Sequence, residues 1–401
     1  MFTNTDDAIS WITSRRNDNY SFEHFKSVVH EFGDPQDELY LIHIAGTNGK
    51  GSTVQYLCDL LMSQGFKVGT FTSPHLISHL DRIRIDNHNI SDSAFLNILN
   101  ENYEFFTQNE MSMFEMDYLI MCEYFRQENV DFAIVETGLG GRLDSTNVAE
   151  HTRLSIITSI GYDHMDRLGN TLEEICVEKC GIIKKGSKVL CGHLSESCID
   201  IVKKTAEERG SEFYLLDEYE DLGNRTFSFH NDTYRLSSYA SYQLHNASLA
   251  LNAYEIIAQD CDIKTDHEKL KEALKLSNWH CRFEIVKENP RVILDGAHNI
   301  HGVNALVESF DRFDGSKCII FSALKRKEYR KMLEVLEKHC DKLIITGFPG
   351  SGVIDLKEFD DHDTDEDYIH AIHEAMKTYD NILICGSLYF MSEVVLHVDF
   401  S

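Results

Sequence analysis

The chain has 401 residues, 42% hydrophobic and 26% charged, enough to bury the cores of two or three domains. Its formal net charge of −28 disfavours nucleic acid and anionic membranes as partners, and no apolar run approaches the roughly 18 residues of a membrane span. Eleven cysteines without a C-x-x-C pair, and a start (MFTNTDD) with neither a basic nor an apolar signal region, argue against structural zinc and secretion and lead us to expect a reducing cytoplasm.

Residues 6–32 place Ile9, Trp11, Ile12, Phe22, Phe25, Val28 and Val29 at helical spacing. The run LYLIHIA at 39–45 predicts a buried strand, followed by a helix from Ser52 to about Gln64 and a second strand over 67–72. A helix over 117–129 leads to strands at 132–136, 154–159 and 188–191. Residues 226–229 and 233–236 read as a hairpin around Asn231-Asp232, and 242–258 as a helix. A domain boundary is expected at 278–290. Beyond it the strand pattern restarts at 291–295, 317–321, 342–346 and 381–385, with helices between. The acidic stretch 360–367 reads as a solvated loop. Alternating strands and helices imply parallel α/β sheets, one large and one smaller.

Gly46 to Ser52 reads G-x-x-G-K-G-S, after a strand and opening a helix. Glycines let backbone N–H groups wrap an anion, and the helix start adds partial positive charge. The loop is therefore read as an ATP phosphate cradle, with Lys50 reaching the phosphates and Ser52 or Ser73 offering a hydroxyl to Mg²⁺. Glu136 ends a strand, where a carboxylate faces the ligand crevice and can hold that ion. It can equally cap the next turn. His164, beside Asp163 and Asp166, is a plausible metal ligand but could be structural. Lys179 falls late in a helix, where lysines commonly complement the dipole. Asp295 and His298 end the first strand of the second domain and suit nucleotide contacts, although turn residues look the same.

Taken in order, HIAGTNGKGS at 43–52, TSPHL at 72–76, ETGLGGRLDSTN at 136–147, Asp163-His164, LGNTL at 168–172, EKCGI at 178–182, DGAHN at 295–299 and GSLY at 386–389 resemble the folylpolyglutamate synthase/dihydrofolate synthase family of Mur-ligase-like ATP-dependent amide ligases. The resemblance spans residues 41–394. It implies a P-loop Mur-ligase-like ATP-binding domain over 1–281 and a smaller Rossmann-like glutamate ligase domain over 282–401. It implies that Thr47, Asn48, Gly49, Lys50, Gly51 and Ser52 bind ATP, with Asn246, Arg282, Asp295 and His298 contacting it from the far side. Ser73, Glu136, His164 and a carbamylated Lys179 resemble the ligands of two Mg²⁺ ions, with a monovalent cation as an optional further ion. Lys50, His164 and Lys179 are the implied catalytic residues. Phe114, Glu115, Leu143, Asp144 and Ser145 match the pterin-side pocket.

The implied reaction joins L-glutamate to dihydropteroate or a reduced folate through an acyl phosphate, in a cytoplasmic monomer. A Mur-type ligase acting on another carboxylate, or an inactive relative, are the alternatives. Only 45 residues precede Gly46, fewer than a nucleotide-sugar domain is expected to need. The chain departs from the family at 19–25, where a Leu-Gly-Leu-x-Arg-like stretch is usual. It departs again at Trp279-His280-Cys281-Arg282 in place of Trp-Pro-Gly-Arg, at Ile300 in place of proline, and at Asp117, near a position often occupied by threonine.

Overall fold

The structure, a computed structural model, describes residues 1–15 and 20–400. Asn19, first of the departing segment 19–25, lies outside the described residues. Two compact units divide the chain: Met1–Glu218 with Asn246–Leu274, and Tyr219–His245 with the chain from Lys275 onward.

In the first unit, β1 (Leu41–Ala45), β2 (Val68–Phe71), β3 (Ile83–Ile85), β4 (His88–Asn89), β5 (Phe132–Glu136), β6 (Leu154–Ile157), β7 (Lys188–Cys191) and β8 (Glu212–Leu215) form one sheet. Their order is β4-β3-β2-β5-β1-β6-β7-β8. Neighbours from β2 to β8 pair in parallel, while β3 and β4 pair antiparallel. Every residue of β1 and β5 is buried, as expected of central strands covered on both faces. β1 lies between β5 and β6, so the loops leaving these three strands meet at one edge.

The helical stretch expected over 6–32 is two helices, Thr5–Ser14 and Phe22–Phe32. Each has its own N-cap, since Asn4 accepts from the Asp7 amide and Ser21 from the His24 amide. The helix expected from 117 begins earlier, spanning Met113–Gln127, because Ser112 and Glu115 close a capping box.

In the second unit, β9 (Tyr219–Gly223), β10 (Thr226–Phe229) and β11 (Asp232–Arg235) form a small antiparallel sheet, so the expected hairpin gains a third strand. β12 (Arg282–Glu288), β13 (Arg291–Asp295), β14 (Lys317–Phe321), β15 (Lys342–Thr346), β16 (Asp363–Asp365) and β17 (Asn381–Cys385) run in the order β12-β13-β17-β14-β15-β16. Two expectations are corrected here. The stretch 278–290 carries β12, antiparallel to β13; most of its residues are only half-buried, so its apolar signal is weak. Within the acidic loop, Asp363–Asp365 adds a parallel edge strand through backbone bonds that require no apolar side chain.

Gly69 of β2 lies against the fully buried Phe125 ring. A Cβ placed there would sit 2.7 Å from ring carbons. We expect Gly69→Ala to lower unfolding stability by about 1–3 kcal/mol through overpacking, measured by urea denaturation with unchanged m-value.

Candidate active site

The loop after β1 is fixed by sterics and by a latch. A Cβ on Gly46 would lie 1.8 Å from Thr158 Oγ1, so only glycine fits. Gly49 has φ +84°, and its Cβ would lie 2.4 Å from Asn246 Oδ1. Residues 158–161, which follow β6, hold the loop. The Thr47 amide donates to Ser159 O (2.8 Å) and the Asn48 amide to Ser159 Oγ (2.9 Å). Thr158 Oγ1 donates to Asn48 O (2.7 Å), and the Gly161 amide donates to Thr47 Oγ1 (2.9 Å). Thr158 and Ser159 were read only as strand residues. Their signal is their place just beyond the end of a strand adjacent to β1.

Gly49 caps the helix Lys50–Ser63, whose first turn buries Gly51 and Ser52. Two lysines converge on one carbonyl: Lys50 Nζ donates to Gly46 O at 3.1 Å, and Lys179 Nζ donates to the same oxygen at 2.9 Å. Lys50 Nζ also lies 3.7 Å from Glu136 Oε1, at the end of β5. The Ser73 amide donates to Glu136 Oε2 at 3.4 Å. Burial, and then the charge of Lys50, pull the Lys179 ammonium down to about 7, so much of it is a neutral amine near neutral pH. Asp163 opposes that shift, so it lies within electrostatic reach. The structure thus brings Lys50, Ser73, Glu136, Lys179 and Asn246 around one loop. His164 follows Asp163 with φ +50°, its Nε2 3.8 Å from Asp163 Oδ1.

The loop after Glu136 packs against the helix Leu172–Cys180, which carries Lys179. Cβ atoms on Gly141 and Gly181 would meet backbone atoms at 2.8 Å and 2.3 Å. The Arg142 amide donates to Glu178 O (2.7 Å), and its guanidinium Nη2 to Glu178 Oε1 (2.8 Å). The five pocket candidates divide by what their side chains do. Asp144 is buried and organises its own loop: Oδ2 accepts from the Leu139 amide (2.6 Å), Oδ1 from the Thr146 amide (3.1 Å) and hydroxyl (2.6 Å). Glu115 Oε2 closes its helix cap on the Ser112 amide (2.7 Å) and hydroxyl (2.5 Å). Phe114 packs over Gly138, Leu143 is 48% exposed, and Ser145 Oγ donates to the Tyr20 hydroxyl at 3.4 Å. Tyr20 in turn donates to Leu143 O at 2.9 Å.

In the second unit, Asp295 Oδ2 accepts from the Tyr242 hydroxyl (2.5 Å) and the Phe283 amide (2.8 Å), and Oδ1 from the Ala297 amide (2.8 Å). Burial raises this carboxyl despite those bonds. Arg282 begins β12, and His298 Nδ1 lies 2.8 Å from Gly296 O.

His43 of β1 carries a relay that the sequence alone did not single out. The Thr146 hydroxyl donates to Asp144, so His43 Nε2, 2.7 Å away, must be the donor to Thr146 Oγ1. Burial, then the charge of Lys184, hold His43 down at about 3. The unfolded chain therefore binds a proton near pH 6.5 that the folded chain refuses until about 3. Stability is full above pH 6.5 and is lost as pH falls through that window. Relative to His43→Gln, which keeps a side-chain donor, we expect the native chain to lose up to about 2 kcal/mol between pH 6.5 and 5. Parallel urea titrations would show it, and a pH-independent difference would contradict it.

Two family models match, the Mur ligase middle domain over residues 44–254 and the Mur ligase glutamate ligase domain over 281–388. The dihydrofolate synthase/folylpolyglutamate synthase of Bacillus subtilis is 36% identical, the match covering 98% of this chain and 99% of that protein. Folylpolyglutamate synthase of Lacticaseibacillus casei is 30% identical over 81% of this chain and 80% of its own. Escherichia coli FolC, solved in complex with DHPP and ADP, superposes with TM-score 0.88 at 25% identity, covering 98% of this chain and 97% of that one. Mycobacterium tuberculosis folylpolyglutamate synthase complexed with ADP gives TM-score 0.89 at 25% identity, with 98% of each chain covered.

Proposed function

The chain belongs to the dihydrofolate synthase/folylpolyglutamate synthase family of Mur-type ligases, and from that premise we propose how its residues work. It is an ATP-dependent ligase that forms a C–N bond between L-glutamate and a pteroate or folate carboxylate. A carboxylate is a poor electrophile because its charge is delocalised. Transfer of the terminal ATP phosphoryl group to it makes an acyl phosphate and releases ADP. The glutamate amine, deprotonated, attacks the acyl carbon and phosphate leaves with the bonding pair.

The observation that carries this reading is the convergence of Lys50 and Lys179 on the Gly46 carbonyl beside Glu136. The Lys50 ammonium, beside a second lysine nitrogen on the same buried carbonyl, forms a site for an anion. Lys50 turns from Gly46 O to the transferring phosphoryl group and offsets its charge, while the amides at the start of the helix Lys50–Ser63 cradle the phosphates. Asn246 holds the loop at Gly49, and Thr47, Asn48, Gly51 and Ser52 complete the cradle.

The donor set fits Mg²⁺: the Glu136 carboxylate and Ser73 lie together, and both offer hard oxygen. A neutral amine at Lys179 is the form that adds carbon dioxide, and the carbamate so made would supply further oxygens, with His164 at a second ion. When bound, the ions neutralise phosphate charge. Phe114, Leu143 and Ser145 line the acceptor pocket, with Asp144 and Glu115 fixing its loop and helix. We assign ATP binding to residues 1–281 and glutamate ligation to 282–401, with Arg282, Asp295 and His298 completing the nucleotide contacts. The enzyme works as a cytoplasmic monomer in this reading. Its eleven free cysteines support a reducing compartment, and no helix among the described residues is long and apolar enough to cross a membrane.

Glutamate-dependent ADP release should appear with dihydropteroate, tetrahydrofolate or both. Lys50→Ala should lower kcat by about 10²–10³. If neither acceptor supports turnover while Lys50 is intact, the substrate class is wrong.

A further inference from the structure

A buried charged cluster lies beyond the residues assigned above. Asp117, fully buried on the helix Met113–Gln127, sits 2.8 Å through Oδ1 from His79 Nε2 and 3.7 Å through Oδ2 from Arg82 Nε. Arg82 Nε donates to His75 Nδ1 at 3.2 Å. The Arg82 side chain is only 6% exposed, a costly place for a guanidinium, which is always charged. Its compensation is incomplete: Asp117 Oδ2 makes no hydrogen bond, and the 3.7 Å approach is too long for one. All these protein contacts use Nε. Among the described residues neither Nη atom has a hydrogen-bond partner, yet neither is sealed from solvent as the fully buried unpaired atoms are. The side chain is therefore held by one edge, with the two-nitrogen fork left open.

The backbone places the residue close to the candidate site. The Thr72 amide donates to Arg82 O at 2.9 Å, one residue before Ser73, whose own amide reaches Glu136. Phe71, opposite Ile83 in the β2–β3 pair, packs its ring 5.5 Å from that of Phe114. The Arg82 backbone is thus tied to the residue before Ser73, and its neighbour Ile83 lies opposite Phe71, which packs on Phe114. Asp81 stiffens the same turn, accepting from the Leu76, Ile77 and Ser78 amides.

We propose that Arg82 binds the acceptor's reacting carboxylate through its Nη fork, and that Asp117 is the positioning residue that sets the fork's direction. The inference rests on the ligase reading above. A planar fork matches a carboxylate bidentately, and the phosphates already have Lys50 and the loop amides. Holding the carboxylate still beside the phosphoryl group is the service such a reaction needs most.

The test compares binding of dihydropteroate and of its carboxamide, with ADP present, by calorimetry. The native protein should prefer the carboxylate by about 30-fold, and Arg82→Gln should cut that preference to about 3-fold or less while leaving ATP affinity unchanged. Arg82→Lys, which keeps the charge and loses the fork, should fall between and stands in should Arg82→Gln misfold. Asp117→Asn should weaken the preference and raise the dihydropteroate KM more than it lowers kcat, a split that a general loss of folding would not give. An unchanged carboxylate preference in Arg82→Gln, or a loss confined to ATP affinity, overturns the proposal. If the native protein itself binds dihydropteroate no better than its carboxamide and shows no turnover, the ligase reading and the proposal fall together. Turnover by the native protein with no change in the Arg82 variants sinks the proposal alone.

Discussion

Two lysine side chains share the carbonyl oxygen of Gly46, and much of the first unit serves that meeting. Like charges in a buried place repel. The chain limits the cost in two ways. Glu136 lies 3.7 Å from Lys50, and Lys179 is pushed toward its neutral form. What remains is a shortage of negative charge at the mouth of a glycine loop. In the proposed reading, ATP phosphates meet that shortage. The same shift favours the unprotonated amine at Lys179, the form that the proposed carbamylation requires.

The geometry around that oxygen depends on atoms that glycine lacks. Gly46 leaves room for the Thr158 hydroxyl, which in turn fastens Asn48. Gly141 and Gly181 let two backbones touch, so the helix carrying Lys179 is set against the loop leaving Glu136. Neither contact involves the chemistry directly. Both determine where the two lysines end, and a methyl group at any of the three positions would separate elements that must stay within hydrogen-bond reach of each other.

What could be read in the sequence follows from how local each signal is. The buried run before Gly46, the G-x-x-G-K-G-S spacing and the strand-end acids Glu136 and Asp295 are contiguous or tied to a strand end, so each could be placed at the edge of its own sheet. β12 is hard to read because only three of its seven residues, Phe283, Ile285 and Val286, are apolar, and of these only Phe283 is buried. The cluster of His79, Arg82 and Asp117 was illegible for another reason. His79 and Arg82 share one short helix while Asp117 lies on another, up to 38 residues away, and each alone resembles an ordinary surface residue. Asp144 shows the converse: its position was legible, but its carboxylate is spent on Leu139 and Thr146 rather than left open.

The chain's net charge of −28 opposes, at long range, every substrate discussed, each of them anionic. Distance resolves the conflict. At physiological ionic strength the Debye length is about 8 Å, so most surface carboxylates act weakly on a ligand seated in the site. The nearest groups dominate: Lys50, the helix start and the Arg82 fork, in surroundings where each contact is less screened. The cationic side chains that matter are accordingly buried or nearly so, whereas exposed lysines elsewhere pair with neighbouring acids such as Glu128 and Glu150. Placing positive charge inside and negative charge outside lets the enzyme gather anions at one point.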